Sequence, residues 1–265
     1  MKKSFCLLAI LLTACAFAQQ GPQTVNVPIS RPGEPIELDI NIMSARIEVI
    51  GENRDDAQFE VMVADGQRKI VTPSGTQLLK GGAYALEIEE DNNAISFDAD
   101  WRSNRVTVLA RIPRRANLSL RTINNGEIIV SNVEGSLKLS NVNGPITATN
   151  ISGSVIAESV NKDITVSFAR LDGDSATSFE TINGDLRLGL PPDAGAKLYL
   201  DTSNGEVYSD FDVDVEPSKP VVKRKDDARG AAIRIESVII ANVNGGGPVV
   251  RMKGLQGDIY IEKNQ

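Results

Sequence analysis

The stretch Asn125-Gly126-Glu127-Ile128-Ile129-Val130 returns 18 residues later as Asn143-Gly144-Pro145-Ile146-Thr147-Ala148, and 18 after that as Asn161-Lys162-Asp163-Ile164-Thr165-Val166. Each copy is a turn signal followed by a run in which apolar residues alternate. A unit this short cannot bury its own apolar face. Fixed-period similarity therefore predicts stacked copies that share one long core, the arrangement of a β-solenoid.

The same turn-plus-strand slot recurs at Asn183-Gly184 with Leu186, at Asn204-Gly205 with Val207 and at Gly257 with Ile259. A second turn follows each central copy at Glu134-Gly135, Ser152-Gly153 and Asp172-Gly173, so each coil has two corners. Asn and Gly tolerate left-handed backbone angles, which makes Asn125, Gly126, Asn143, Gly144, Asn161, Asn183, Gly184, Asn204 and Gly205 the expected structural corners. At a strand spacing of about 4.8 Å, Asn125, Asn143 and Asn161 would lie over one another, and Asn132 under Asn150, with their amides hydrogen-bonded along the stack. The competing fold is an antiparallel β-sandwich in which every Asn-Gly is a hairpin turn. A meander explains frequent turns but gives no reason for residue identity at a separation of 18, whereas parallel coils put those positions in contact.

Working outward, strand-like alternation runs from Ile36 to Ile261 with no sustained helical period, so the class is all-β. Residues 64–82 are turn-rich, and 217–230 is a charged stretch with two prolines, read as a loop inserted in the solenoid wall. The expected organisation is a signal segment at 1–18, a polar leader at 19–33 and a repeat domain at 34–265.

Lys2 and Lys3, the apolar run Phe5 to Leu12, and Ala16-Phe17-Ala18 before Gln19 form an export signal, with cleavage between Ala18 and Gln19. Leu12-Thr13-Ala14-Cys15 also fits a bacterial lipobox, which would acylate Cys15 and anchor the protein by lipid. Both readings stand, and they place the protein in the periplasm, on the cell surface, or on the outer membrane as a lipoprotein. The apolar run is far shorter than the roughly 20 residues of a membrane-spanning helix.

Both cysteines, Cys6 and Cys15, lie in this segment, and the chain has no histidine. The body therefore lacks the residues for imidazole-based Ser or Cys catalysis and for the common zinc sites. Without Lys2 and Lys3 the chain keeps 26 basic against 35 acidic residues, a formal charge of −9. That balance argues against nucleic acid as a partner.

Glu180-Thr181-Ile182-Asn183-Gly184-Asp185-Leu186-Arg187-Leu188, Thr202-Ser203-Asn204-Gly205-Glu206-Val207 and Gly257-Asp258-Ile259-Tyr260-Ile261-Glu262-Lys263, together with the recurring corners, resemble the bacterial putative-adhesin β-strand-repeat family. The likeness covers residues 34–263. It implies a single-stranded, right-handed β-helix-like body and an envelope location, and it carries no catalytic residues to transfer.

Asp210, Asp212 and Asp214 share one parity and offer oxygen ligands for Ca²⁺, but on a strand they stand about 7 Å apart, and acidic edges also serve to block unwanted strand pairing. Lys162, Asp163 and Arg170 are the residues an enzyme acting on polysaccharide would use. Among the rings Trp101, Tyr199, Tyr208, Phe211 and Tyr260, most read as core or corner filling; Trp101, between Asp100 and Arg102, is the candidate for surface binding. The sequence thus predicts a non-enzymatic, exported solenoid with no cofactor, binding an extracellular glycan or an envelope protein over a flat wall. The alternatives are a polysaccharide-active enzyme on the same scaffold and an assembly module that takes a partner by strand addition.

Overall fold

The computed structural model describes residues 22–63, 86–99, 106–124, 126–172, 176–217, 221–227, 230–236 and 238–264. Among these there are strands and no helix. The chain opens with β1 (Gln23–Pro28), β2 (Ile36–Ile42), β3 (Ala45–Glu52) and β4 (Asp56–Val63). Next come β5 (Leu86–Asp91), β6 (Ala94–Ala99) and β7 (Val106–Pro113). The central coils are built from β8 (Ala116–Thr122), β9 (Ile128–Ser131), β10 (Glu134–Asn141), the long β11 (Ile146–Asn161), β12 (Ile164–Leu171), β13 (Thr177–Asn183) and β14 (Leu186–Leu190). Then follow β15 (Ala196–Asn204), β16 (Val207–Ser209), β17 (Val213–Glu216), β18 (Val221–Asp227) and β19 (Gly230–Glu236). The last three are β20 (Ile239–Val243), β21 (Val249–Gln256) and β22 (Ile259–Lys263).

Twenty strands form one continuous sheet with two walls, joined through β11, which contributes its start to one and its end to the other. Wall I runs β5-β6-β2-β8-β10-β11-β13-β21-β15-β20-β17, and wall II runs β1-β4-β7-β3-β9-β11-β12-β14-β22-β16. Alternate residues of both walls enter one core; Phe59 of wall II meets Phe97 of wall I with ring centroids 5.8 Å apart.

Across the central coils neighbouring strands run parallel. Ile128 lies beside Ile146 and Ile146 beside Ile164, so the 18-residue sequence period is the strand register. Hairpins at every Asn-Gly, as in an antiparallel sandwich, are therefore not what these coils form; antiparallel pairs are confined to the ends. The parallel register stacks Ile47, Ile128, Ile146, Ile164, Leu186 and Ile259 into one fully buried column. Each such side chain contributes about 1.5–3 kcal/mol by leaving water.

The ends are threaded out of sequence order. The first coil, β2 and β3, lies between the coil of β6 and β7 and that of β8 and β9. The last, β21 and β22, lies between the coil of β13 and β14 and that of β15 and β16. Both terminal coils are thus buried between neighbours. β1, within the expected leader, pairs with β4, and the stretch read as a loop at 217–230 carries β18 and part of β19, which pair as a separate antiparallel hairpin.

The corners differ in detail from the sequence expectation. Asn124 joins the amide ladder: Asn143 Nδ2 donates to Asn124 Oδ1 (3.2 Å), Asn161 to Asn143 (2.9 Å) and Asn183 to Asn161 (2.9 Å). Asn125 lies outside the described residues. Positive φ occurs at both corners: at Asn132 (58°) and Asn150 (56°) of the second, and at Gly184 (150°) and Gly257 (124°) of the first, where it is absent at Gly126 and Gly144. Those glycines are required by close approach instead: a Cβ on Gly144 would collide with the carbonyl oxygen of Gly126, and one on Gly126 with that of Ala45. Lys162 keeps negative φ in the same slot with its side chain exposed. Beneath this corner a polar column, buried at Asn141 and Thr181 and half-buried at Thr202, satisfies main-chain groups: Asn141 Nδ2 donates to Gly126 O (3.1 Å), Thr181 Oγ1 to Lys162 O (3.2 Å) and Thr202 Oγ1 to Gly257 O (3.0 Å).

Asn150 both holds a left-handed angle and donates to Asn132 Oδ1 at 2.6 Å. Asn150→Ala loses both features and is expected to cost about 2 kcal/mol in urea unfolding. Asn150→Gly keeps the angle and should cost only about 1 kcal/mol; equal costs would contradict this account of the corner.

Candidate binding surfaces

The sequence-predicted site residues are not gathered in one place. Trp101, Cys15, Ala18 and Gln19 lie outside the described residues. Asp210 precedes β17 and accepts a hydrogen bond from the Lys263 amide (3.3 Å), so the three aspartates do not share one strand; among the described residues no three acidic side chains are placed to hold a metal ion. Asp163 Oδ1 accepts the Asp185 amide (2.9 Å), and Asp185 Oδ1 accepts that of Asp258 (3.0 Å), so this carboxylate fastens one coil to the next. Arg170 pairs with Asp172 (2.8 Å) at the far end of β12 from Lys162 and Asp163. Nothing unites these three as a catalytic set.

Outward-facing residues form rows across the walls, because parallel register repeats each position one strand along. On wall II, Arg187, Tyr260 and Tyr208 are such neighbours. The Tyr208 and Tyr260 rings stack 5.1 Å apart at 15°, and the Arg187 guanidinium covers the other face of Tyr260 at 3.8 Å. Partial burial works against the Arg187 charge, yet its hydrogen bond to Glu262 (3.0 Å) and the charges of Glu262 and Asp185 hold its pKa above the ordinary value. Tyr260 is raised above its usual 10.0, first by partial burial, then by donating to Asp258 Oδ2 (3.1 Å) and by the charges of Asp258 and Asp185. On wall I, Arg251 lies 5.2 Å from the Tyr199 ring, and Lys197 pairs with Glu216 (2.8 Å). That pairing raises Lys197 and lowers Glu216. Of the rings that read as core or corner filling, Tyr199, Tyr208 and Tyr260 thus stand outside and Phe211 is buried in the core. Val207, Ile259 and Ile261 take the inward parity, and that alternation is the sequence signal for Tyr208 and Tyr260.

A second row is apolar. Met43, Ile123, Val142, Val160, Ile182 and Leu255 occupy adjacent strands at one outward position of wall I, beside the asparagine ladder. At the strand spacing the row is about 24 Å long. Met43, Ile182 and Leu255 are each at least 40% exposed, and the other three are half-buried. On the row's other flank, Lys253 pairs with Glu180 (3.1 Å).

Comparison with known proteins bears on the fold. No family model matches the chain, and no curated protein matches it in sequence. A crystal structure of a putative cell adhesion protein from Clostridium sporogenes is similar at a TM-score of 0.50 and 12% identity, over 92% of this chain and 100% of that one. A putative adhesin from Bacteroides fragilis aligns at a TM-score of 0.41 and 9% identity, over 92% and 98%. The first of these shows a shared all-β architecture. No helix among the described residues is long and apolar enough to cross a membrane.

The row on wall II makes a prediction about ionisation. In an alkaline tyrosine titration followed by absorbance, Asp258→Asn removes a negative charge and one of the two carboxylate oxygens, so one phenol is expected to ionise at lower pH, and Tyr260→Phe to delete that phenol. A titration curve unchanged by Asp258→Asn would contradict the geometry.

Proposed function

We propose that this chain is a non-enzymatic, exported protein of the bacterial envelope, a right-handed β-helix-like solenoid that presents its outer wall as a binding surface in the manner of an adhesin. Residues 1–18 serve as the export signal, with cleavage after Ala18 or acylation of Cys15, and 34–265 form the repeat body. Parallel crossovers wind right-handed in nearly all known cases, which supports the handedness.

The apolar row from Met43 to Leu255 carries the reading. Isolated exposed apolar residues are ordinary, but six aligned on consecutive strands form the kind of continuous patch that marks an interaction surface. A flat ribbon flanked by amides suits an extended ligand, an envelope protein or a glycan, better than a small molecule. The lack of histidine and of body cysteine, and the separate employment of Lys162, Asp163 and Arg170, weigh against the enzyme alternative. A second reading, capture of an envelope partner by strand addition, is favoured by the uneven end of the two walls at β16 and β17.

The double variant Ile182→Asp/Leu255→Asp changes only outward positions and is expected to leave stability within about 1 kcal/mol. It should nevertheless lower co-sedimentation with isolated bacterial envelope fragments at least tenfold. Unchanged co-sedimentation would overturn the role of the row, and turnover of any member of a polysaccharide panel by the wild-type protein would overturn the non-enzymatic reading.

A further inference from the structure

The two walls stop at different places. Wall II ends on β16, whereas wall I continues past β15, the partner of β16 in the same coil, through β20 to β17. Among the described strands nothing in wall II faces β20 and β17. On their inner face Ala241 (2% exposed) and Val243 (0%) are buried, whereas Val215, opposite Ala241, is 55% exposed, and Ile239, which extends the buried column past Leu200, is 38% exposed. Both occupy core positions that lack an opposing strand.

The backbone of β16 is open on the same side. The Ile259 amide donates to Glu206 O (2.9 Å) and the Asp210 amide to Ile261 O (2.8 Å). In a parallel ladder the residues between those contacts point the other way, so Val207 and Ser209 offer N–H and C=O groups to the empty edge. The third feature is Tyr208. One face of its ring stacks on Tyr260, and the other looks past the edge, where the next member of the Arg187-Tyr260-Tyr208 row would lie. Glu206 and Asp210, two residues to either side of Tyr208, and Asp212 beyond them are exposed; Lys263 Nζ lies 5.1 Å from the Phe211 ring.

We infer that the open end of wall II accepts an extended basic segment of a partner protein as a further strand along β16, with apolar residues covering Val215 and Ile239 and an Arg or Lys between them stacking on Tyr208. This rests on the strand-addition reading and names its partner. An exposed aromatic face on a strand flanked by Glu206 and Asp210 favours a cation, as Arg187 already demonstrates one strand away on Tyr260. A second copy of the chain fits poorly. The opposite end presents β5 in wall I and the uncharged β1 in wall II, so stacking two copies would set Glu87, Glu89, Glu90 and Asp91 against Asp212 and Asp214 and bring no cation to Tyr208. The chain's own basic run, Lys223 to Lys225, belongs to β18, which is already paired with β19.

The test uses fluorescein-labelled heptapeptides that alternate valine with arginine, serine or glutamate, and fluorescence anisotropy on the purified mature protein. The arginine peptide is expected to bind saturably and in a salt-sensitive way, and the glutamate peptide not at all. Tyr208→Ala should weaken binding about fivefold or more. Ser209→Pro removes an edge N–H at a position where an edge strand tolerates proline, and with it the two Oγ hydrogen bonds to the Phe211 main chain (3.1 Å each). Ser209→Ala, which loses only the latter, is its control and should bind as the wild type does, whereas the proline variant should not bind. Equal binding of the arginine and serine peptides would overturn the cationic partner and leave strand addition standing. Binding of no peptide, or full binding by Ser209→Pro, would overturn both. Sedimentation equilibrium showing self-association that Tyr208→Ala removes would make a second copy the occupant and overturn the proposal.

Discussion

Main-chain hydrogen bonding between equivalent residues of successive parallel coils is the constraint on which the rest of this molecule depends. A coil of 18 residues has too little apolar surface to hold itself folded. Pairing Ile128 with Ile146 and Ile146 with Ile164 gives each central strand a neighbour on both sides, and it converts a modest apolar repeat into continuous buried columns. The glycine requirement follows from the same constraint, because coils this close bring the carbonyl of one corner against the α-carbon of the next. So does the use of asparagine and aspartate at the corners, where amide and carboxylate side chains bridge one coil to the following one.

Register also explains how a surface arises without a pocket. Any outward position is repeated one strand away, so a small bias in composition becomes a row. Hydrophobic residues at one position give the ribbon from Met43 to Leu255. At another, Arg187, Tyr260 and Tyr208 fall within stacking distance although 52 residues separate Tyr208 from Tyr260. The charges beside these rows are held in local pairs, such as Lys253 with Glu180 and Arg187 with Glu262, which leaves the rows accessible.

Much of the central architecture was legible in the sequence because the coils there are consecutive. Asn143 over Asn161 and Asn132 under Asn150 follow directly from the period. The ends were not legible. β2 pairs with β8 at a separation of 80 residues and β13 with β21 at 73, and no periodicity links segments so far apart. The corner chemistry was half legible: Asn-Gly announces a turn, but whether glycine answers a positive φ or a close approach depends on the neighbouring coil. Proximity to Asn143 selects Asn124 for the ladder, which dipeptide matching cannot reveal. Tyr208 and Tyr260 read as core filling because rings usually are; only their parity against Val207 and Ile259 shows them outside.

The parallel register can be tested directly because the body contains no cysteine. A pair introduced as Asn143→Cys and Asn161→Cys should form a disulfide under mild oxidation, as the two side chains are 2.9 Å apart in the ladder, whereas Ser140→Cys with Thr147→Cys, which a hairpin at Asn143-Gly144 would bring together, should not. Cross-linking of the second pair and not the first would contradict the fold and everything built on it.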